Sequence, residues 1–297
     1  EIAPIVGQLH LFQRIANWVV PKSNTAYTQQ ELNHYRQHPE AVQQSREEIY
    51  AVWNTLATFS DKAFLADMEK SGLERIAQVK DATTRAKLTP NHPFGCKRPL
   101  FSDLYYPIFN RDNVELVTQD IDRITATGIR TADGQTRELD TIIYATGFET
   151  TAYLTTVEVT GRDGLSLEDA WHDGAQAYLG LSTAGFPNLF MLYGPNTNQG
   201  SLLYMLERQS EYVMRQIKRL EDEHLAWMDI RPDVMEAFND QLQKDVDKID
   251  VWKFDCGNSF YNRAPSGRFV TTWPDSMDAY TQRLNAQKPE VYTVGAE

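Results

Sequence analysis

A basic side chain stands at the end of the first predicted strand. Leu9, Leu11 and Phe12 start an apolar run typical of a strand, and Arg14 follows it directly. In dinucleotide-binding folds this position meets the ribose 2′ substituent, where a carboxylate suits the 2′-hydroxyl of NAD and an arginine suits the 2′-phosphate of NADP. A solvated surface arginine is the alternative interpretation.

A second pair of basic residues, Lys97 and Arg98, lies in the segment 91–107, which is rich in proline and aromatic residues. Apolar neighbours would desolvate the Arg98 guanidinium and strengthen its attraction for an anion. Alternatively, Arg98 extends along apolar surface toward a structural carboxylate such as Asp103.

Two further segments could approach a ligand with their backbone. Thr146 and Gly147 follow the apolar run 142–144, predicted to be a strand buried on both faces, and small residues there permit close approach of a ligand or a crossing segment. They could equally form a tight exit turn.

The second segment is the loop GPNTNQGS, which contains Asn196 and Gly200 and leads into a long helix that includes Leu202. Free N–H groups at the start of that helix could face an anionic or carbonyl oxygen. An ordinary cap by Asn198 or Ser201 is the alternative.

Aromatic residues cluster near the C-terminus, among them Trp252 and Phe254. They suit a hydrophobic substrate pocket or plain core packing. No pair of histidines has zinc spacing with a third ligand, and no motif indicates covalent catalysis, so we expect no metal site.

Helices and strands alternate around these residues. The pattern is helical from about residue 27 to 87, with an apolar stripe expected to face a core. Strands are predicted over 113–117, 121–125, 142–144 and 189–193, with a hairpin turn at Asp133-Gly134. Long helices are predicted from about Ser201 to Glu223 and from Pro232 onward, which together favour an α/β fold with an all-helical insertion.

The composition limits the function. The net charge of −12 argues against broad nucleic-acid or anionic-membrane binding, and no apolar run is long enough to predict a transmembrane helix. Cys96 and Cys256 are far apart in the sequence, so we expect free thiols and a reducing, cytoplasmic environment. Glu1 to Val6 resembles the last turns of a helix, which predicts that a preceding strand lies outside this sequence.

Four segments together resemble a Baeyer-Villiger monooxygenase of the class B flavoproteins, closest to the 4-hydroxyacetophenone monooxygenase branch. They are FQRIANWVVP, FGCKRPLFSDLYYPIFNRDNVELV, DTIIYATGF and GPNTNQGSLLYMLERQSEYV, in the family's order. The resemblance implies two dinucleotide-binding, Rossmann-like domains, one for FAD and one for NADP. It places 1–26 and 91–146 in the NADP domain, 27–90 in the helical insertion, and 147–297 in the C-terminal part of the FAD domain.

The resemblance also implies roles for single residues. Arg14 and Lys97 resemble the pair that holds the NADP 2′-phosphate, and Arg98 resembles the flavin-facing arginine that favours the deprotonated C4a-peroxide. Thr146 and Gly147 match the motif that links the cofactor domains, and Asn196 to Leu202 matches a segment near flavin and substrate.

The sequence lacks three family motifs: both GxGxxG fingerprints and the FxGxxxHxxxW motif. We therefore expect a C-terminal portion that is inactive alone, from an enzyme that inserts an atom of O2 into a ketone. The alternatives are a flavin-containing N- or S-oxygenating monooxygenase, which would not need Arg98, and a non-catalytic α/β remnant that serves as a binding module.

Overall fold

A computed structural model of the chain describes residues 1–22, 25–56, 58–255, 257 and 260–296. The strands are β1 Leu9–Phe12, β2 Val19–Val20, β3 Leu100–Phe101, β4 Val114–Val117, β5 Ile121–Ile124, β6 Gly128–Thr131, β7 Thr136–Glu138, β8 Leu225–Ile230 and β9 Tyr292–Ala296. The helices are α1 Gln29–Gln37, α2 Pro39–Leu56, α3 Lys62–Ile76, α4 Ala82–Leu88, α5 Leu167–Ala170, α6 Leu202–Asp222, α7 Pro232–Val246 and α8 Met277–Asn285.

The chain forms two compact units. The first unit comprises residues 1–25, 63–148 and 254–257, and the second comprises 26–62, 149–253 and 258–297. The predicted helical insertion is divided between them, because α1 and α2 cluster with the second unit and nearly all of α3 and α4 with the first. The assignment of segments to NADP and FAD domains stays a prediction.

Two pairs of parallel strands form the centre of the first unit. Strand β1 pairs with β4 in the register Leu9 to Val114, and β2 pairs with β3. Their apolar side chains pack against α3, α4 and the turn 106–110 in a cluster of buried residues: Val19, Ile76, Val79, Leu88, Tyr106, Phe109 and Leu116. The predicted strands at Leu9 and over 113–117 are confirmed, and Ile2 to Val6 forms one hydrogen-bonded turn.

The antiparallel sheet β5-β6-β7 follows β4 and contains the predicted hairpin. The turn is tight because Gly134 adopts φ +85°, and the Thr131 hydroxyl donates to the Asp133 carboxylate. From β7 the buried Arg137 guanidinium donates two hydrogen bonds to Glu115 of β4, at 2.6 and 3.0 Å. His10 of β1 also contacts Glu115, at 2.6 Å, so this carboxylate joins the two sheets.

Acid should weaken the first unit through Glu115. Hydrogen bonds from Arg137, and then from His10, hold the pKa of Glu115 below its usual value. A carboxyl with a lowered folded pKa contributes stability above its unfolded pKa, and the contribution disappears as pH falls through the folded pKa. Because the side chain is 41% exposed, we expect a contribution of at most about 1 kcal/mol.

Urea unfolding between about pH 3 and 7 measures this difference. Glu115→Gln should be less stable than the parent at neutral pH, and the two should converge as pH falls through the lowered folded pKa of Glu115. Glu138→Gln, on an exposed carboxylate of β7, is the matched control and should track the parent. If the loss in free energy of unfolding caused by Glu115→Gln does not depend on pH, the Glu115 charge is not its origin.

The second unit is built around α6, whose start is defined by Ser201. The Ser201 hydroxyl accepts a hydrogen bond from the Tyr204 N–H, as an N-cap does. Strands β8 and β9 pair antiparallel, and both α8 and β8 contact α6. The long helices predicted from Ser201 and Pro232 are confirmed.

The apolar stripe of α2 does not face a core among the described residues. Val42, Ile49 and Val52 are each more than half exposed. The helical pattern over 27–87 is confirmed, but the expected burial of its stripe is wrong, because helical periodicity identifies a face and not what covers it.

Two predicted strands are absent from the described residues. Segment 142–148 is irregular, with Ile143 70% and Phe148 92% exposed, and none of the described strands pairs with it. Segment 189–193 is also irregular, because Asn188 and Tyr193 at its ends adopt a φ of +60° that leaves the β region. Both strand predictions are wrong for the structure described.

None of the described helices is sufficiently long and apolar to span a membrane.

Candidate functional site

Two residues follow the carboxyl ends of neighbouring parallel strands in the first unit. Arg14 comes just after β1 and Thr118 just after β4, and the Gln13 N–H extends the pairing by donating to the Val117 carbonyl at 2.9 Å. Ligands of open α/β sheets bind outside the carboxyl ends of parallel strands. The structure therefore places Arg14 at an edge suited to a ligand.

A cavity of about 470 Å³ opens at this edge. Its lining residues are Gln13, Arg14, Ile15, Ala16, Lys87, Thr89, Asn91, Thr118, Asp255 and Gly257. Hydroxyl, amide, ammonium and carboxylate groups lie among its lining residues beside the Arg14 guanidinium. Lys87, Thr118 and Asp255 are not among the predicted site residues, although the position of Thr118 after a predicted strand is a usable signal.

Lys97 lies close enough to Arg14 for their charges to interact. Partial burial lowers the pKa of Lys97, and the nearby positive charge of Arg14 lowers it further. Within the described part of the chain neither side chain forms an ion pair. Two cations that repel each other and have no carboxylate partner make an environment that favours an anion. This electrostatic interaction supports the predicted proximity of Arg14 and Lys97, while their cofactor role stays a prediction.

The loop that carries Lys97 is fixed by Trp18. The buried Trp18 indole N–H donates to the His92 carbonyl at 2.9 Å, and the His92 ring donates to the Ala16 carbonyl at 3.0 Å. Phe94, also buried, packs near the Trp18 ring, and its N–H donates to Glu69 at 2.9 Å. The basic loop is therefore bound to the segment that follows β1.

Arg98 extends this loop to the surface. Its carbonyl accepts a hydrogen bond from the Asn17 amide at 3.0 Å, while its side chain is exposed. The expected desolvation of the guanidinium is wrong for this structure, because neighbouring Leu100 and Phe101 are themselves almost half exposed. Asp103 pairs with Arg75 at 2.9 Å.

Cys96 in the same loop is disulfide-bonded, so the expectation of a free thiol is wrong there. Cys256 lies outside the described residues. Spacing in the sequence alone does not determine whether a cysteine is oxidised.

Thr146 and Gly147 lie in the irregular segment of the first unit, and both are exposed. Gly147 adopts φ +97°, a conformation that favours glycine. They lie outside regular structure, and neither of them lines the cavity beside Arg14.

Hydrogen bonds and close packing hold the GPNTNQGS loop within the second unit. The Asn196 amide donates to the carbonyls of Phe269 and Thr272 at 3.0 and 3.3 Å, so its hydrogen bonds go to protein. Gly200 has φ +47°, and a Cβ there would come within 2.8 Å of Met277 Sδ. Leu202, 42% exposed, begins α6.

A second cavity, of about 750 Å³, lies within the second unit and includes Gly200. Five aromatic side chains line it together with an ion pair between Arg46 and Glu207: Tyr27, Tyr35, Tyr50, Trp53 and Tyr204. No local pattern in the sequence predicts this cavity, because α2 and α6 are separated by more than a hundred residues.

Trp252 and Phe254 belong to different units. Trp252 is buried and stacks on Phe269 with ring centroids 4.9 Å apart, which is core packing. Phe254 is 58% exposed. Their predicted substrate contact stays a prediction.

Among the described residues no group of three or more histidine, cysteine or acidic side chains is placed to hold a metal ion.

Comparison with known proteins shows clear relatives. The chain is 37% identical over 292 residues to a Baeyer-Villiger monooxygenase of Pseudomonas aeruginosa, covering 96% of this chain and 54% of that protein. It is 34% identical over 301 residues to an FAD-binding monooxygenase of Aspergillus niger, covering 96% of this chain and 48% of that protein. The chain thus spans about half the length of the curated relatives it matches. No protein-family model matches it.

Solved structures agree with these relatives. The structure of OTEMO in complex with FAD and NADP superposes with a TM-score of 0.82 at 25% identity, covering 99% of this chain and 63% of that chain. The resemblance to Baeyer-Villiger monooxygenases and the α/β fold class inferred from the sequence are confirmed.

Proposed function

We propose that this chain is the C-terminal part of an FAD- and NADPH-dependent Baeyer-Villiger monooxygenase, which inserts one oxygen atom of O2 into a ketone to give an ester or lactone. The observation that supports it most directly is Arg14 at the carboxyl end of the parallel strands β1 and β4, with Lys97 close enough for the two charges to interact. Similarity to such enzymes over nearly the whole chain supports the same proposal.

The residues of the first unit fit NADPH. A 2′-phosphate carries about −1.5 to −2 charge near neutral pH and accepts several hydrogen bonds. Arg14 offers a planar fork of donors, and Lys97 offers a compact charge beside it. In this proposal the two side chains hold the 2′-phosphate, which distinguishes NADPH from NADH.

The flavin-side residues of this chain do not by themselves form a cradle. The Asn196 amide is already bonded to two protein carbonyls, and Thr146 and Gly147 are exposed. Bound FAD supplies the redox chemistry with O2 in enzymes of this kind. We assign no chemical step of the proposed reaction to the following residues: Thr146, Gly147, Asn196, Gly200 and Leu202.

The loop from His92 to Arg98 has two tasks in this proposal. Lys97 points its charge at the phosphate, and Arg98 places a permanent positive charge where negative charge develops during oxygen insertion. Trp18 positions both residues through its hydrogen bond to the His92 carbonyl. Phe254 stays a candidate contact for the ketone.

We also propose a cytoplasmic location, supported by the need for NADPH. The cysteines do not support it, because Cys96 is disulfide-bonded.

Arg14→Ala in the full-length protein tests the cofactor assignment. Loss of a charge-assisted contact costs about 1.5–3 kcal/mol, so we expect NADPH to bind roughly 10- to 150-fold more weakly. NADH has no 2′-phosphate and should bind almost unchanged. Titration of both nucleotides against parent and variant measures this, and equal losses for the two would refute the assignment.

A further inference from the structure

The cavity beside Arg14 contains another cation that the 2′-phosphate assignment does not use. Lys87 lies in the last turn of α4 and lines the cavity together with Arg14 and Thr118. Its backbone is held in place, because the Lys87 carbonyl accepts a hydrogen bond from the Gln13 amide at 3.1 Å. Gln13 immediately precedes Arg14, so α4 is bonded to the end of β1.

The Lys87 ammonium has no ion pair within the described residues, and Arg14 and Lys97 share this property. The chain is acidic overall, with 41 Asp and Glu against 29 Lys and Arg. Two cations without an ion pair in the described part of the chain, Arg14 and Lys87, therefore line one cavity of an otherwise acidic protein.

One carboxylate also faces the cavity. Asp255 comes from a distant segment of the first unit, and its Oδ1 accepts the Gly257 N–H at 2.9 Å. It forms no ion pair within the described residues. Its negative charge opposes the binding of any anion and offsets one of the cations.

Lys87 lines the same cavity and can compensate for the charge of Asp255. The proposed 2′-phosphate needs nearly two positive charges to compensate it. Arg14 and Lys97 supply two, and Asp255 cancels about one of them. Lys87 restores the missing charge.

On this basis we propose that Lys87 is a third cation of the NADPH site and binds the adenosine 2′-phosphate, compensating for Asp255. This inference rests on the proposed function and extends it to a residue outside the motifs. Thr89, Asn91 and Thr118 line the same cavity and present uncharged donors to the nucleotide.

The test measures nucleotide binding to the full-length protein by calorimetry. The probes are adenosine 2′,5′-bisphosphate and 5′-AMP, which differ only in the 2′-phosphate. Lys87→Ala should weaken the bisphosphate about tenfold and change 5′-AMP by less than about twofold. Lys87→Arg should retain most of the affinity, and Lys80→Ala, an exposed lysine of the same unit that does not line the cavity, should have no effect.

Charge rescue makes the test sharper. Asp255→Asn keeps an acceptor for the Gly257 N–H but removes the negative charge, so the double variant Lys87→Ala/Asp255→Asn should bind the bisphosphate nearly as tightly as the parent. Equal weakening of both probes by Lys87→Ala, or no rescue in the double variant, would overturn the inference.

Arg14→Ala separates this inference from the proposed function. If Arg14→Ala loses the bisphosphate while Lys87→Ala does not, the NADPH site stands and Lys87 is not part of it. If neither variant loses it, the NADPH assignment fails together with the role of Lys87.

Discussion

Arg98→Ala in the full-length protein is expected to consume NADPH but to form almost no ester from a ketone. Removing one preorganised group that stabilises developing charge typically costs about a hundredfold to a thousandfold in rate. Hydride transfer from NADPH depends on orientation rather than on this charge, so it should stay measurable. The reducing equivalents should then appear as hydrogen peroxide.

The position of Arg98 supports this expectation. Its backbone is fixed by the Asn17 amide, and its neighbour Lys97 lies beside Arg14. Arg98 is therefore covalently adjacent to Lys97, a residue of the proposed NADPH site. Lysine should rescue poorly, because an ammonium offers a point charge and lacks the planar fork that can contact several groups at once.

Product analysis alongside NADPH consumption and peroxide release measures the effect. Arg36→Ala is the matched control, since it removes the same charge from an exposed residue of α1. If Arg98→Ala forms ester at a rate within about tenfold of the parent, which corresponds to about 1.4 kcal/mol, Arg98 is structural. Oxygenation of amines or sulfides with no ketone product would instead favour the N- or S-oxygenating alternative.

Local signals predicted the parts of the fold that neighbouring residues determine. The strand before Arg14, the turn at Gly134 and the helix capped by Ser201 each depend on a few adjacent side chains. The prediction that Arg14 and Lys97 lie close together came from the family resemblance. The two residues are 83 positions apart, and no local sequence pattern connects them.

The failures share a physical origin in long-range packing. The segment 142–148 has strong β propensity, but a strand needs a paired neighbour, and none of the described strands supplies one. Tyr193 ends the run 189–193 with a φ of +60°, while its N–H donates to the Gln209 side chain at 2.8 Å. Such tertiary contacts override propensity and leave no mark in the local sequence.

The cavity residues illustrate the same limit. Asp255 reaches the proposed NADPH site from more than a hundred residues downstream, and Lys87 reaches it from a helix with no recognisable motif. Only the assembled fold shows that Arg14, Lys87 and Asp255 line one cavity and that Lys97 lies close enough to Arg14 for their charges to interact.

Among the residues near this site, we expect replacement of Trp18 to reduce the stability of the protein most. It is 4% exposed and packs against α3 so closely that a Cβ at Gly72 would come within 2.7 Å of its ring. Trp18→Ala leaves a large cavity and should lower the free energy of unfolding by about 3–5 kcal/mol, measured by urea denaturation.

Trp18→Phe separates packing from positioning. Phenylalanine retains most of the ring but cannot donate, so the buried His92 carbonyl loses its indole partner at a cost of about 1–3 kcal/mol. The loop from His92 to Arg98 should then loosen while the unit stays folded. We expect NADPH affinity to fall severalfold through Lys97, and ester yield per NADPH consumed to fall through Arg98.

The two readouts distinguish positioning from general destabilisation. Leu88→Ala, in the same unit's core but without a hydrogen bond to the loop, is the control for lost stability. It should lower the free energy of unfolding by about 2–5 kcal/mol and leave the ester yield of the folded fraction unchanged. If Trp18→Phe also leaves that yield unchanged, Trp18 serves the core alone, and the rigidity of the basic loop has another source.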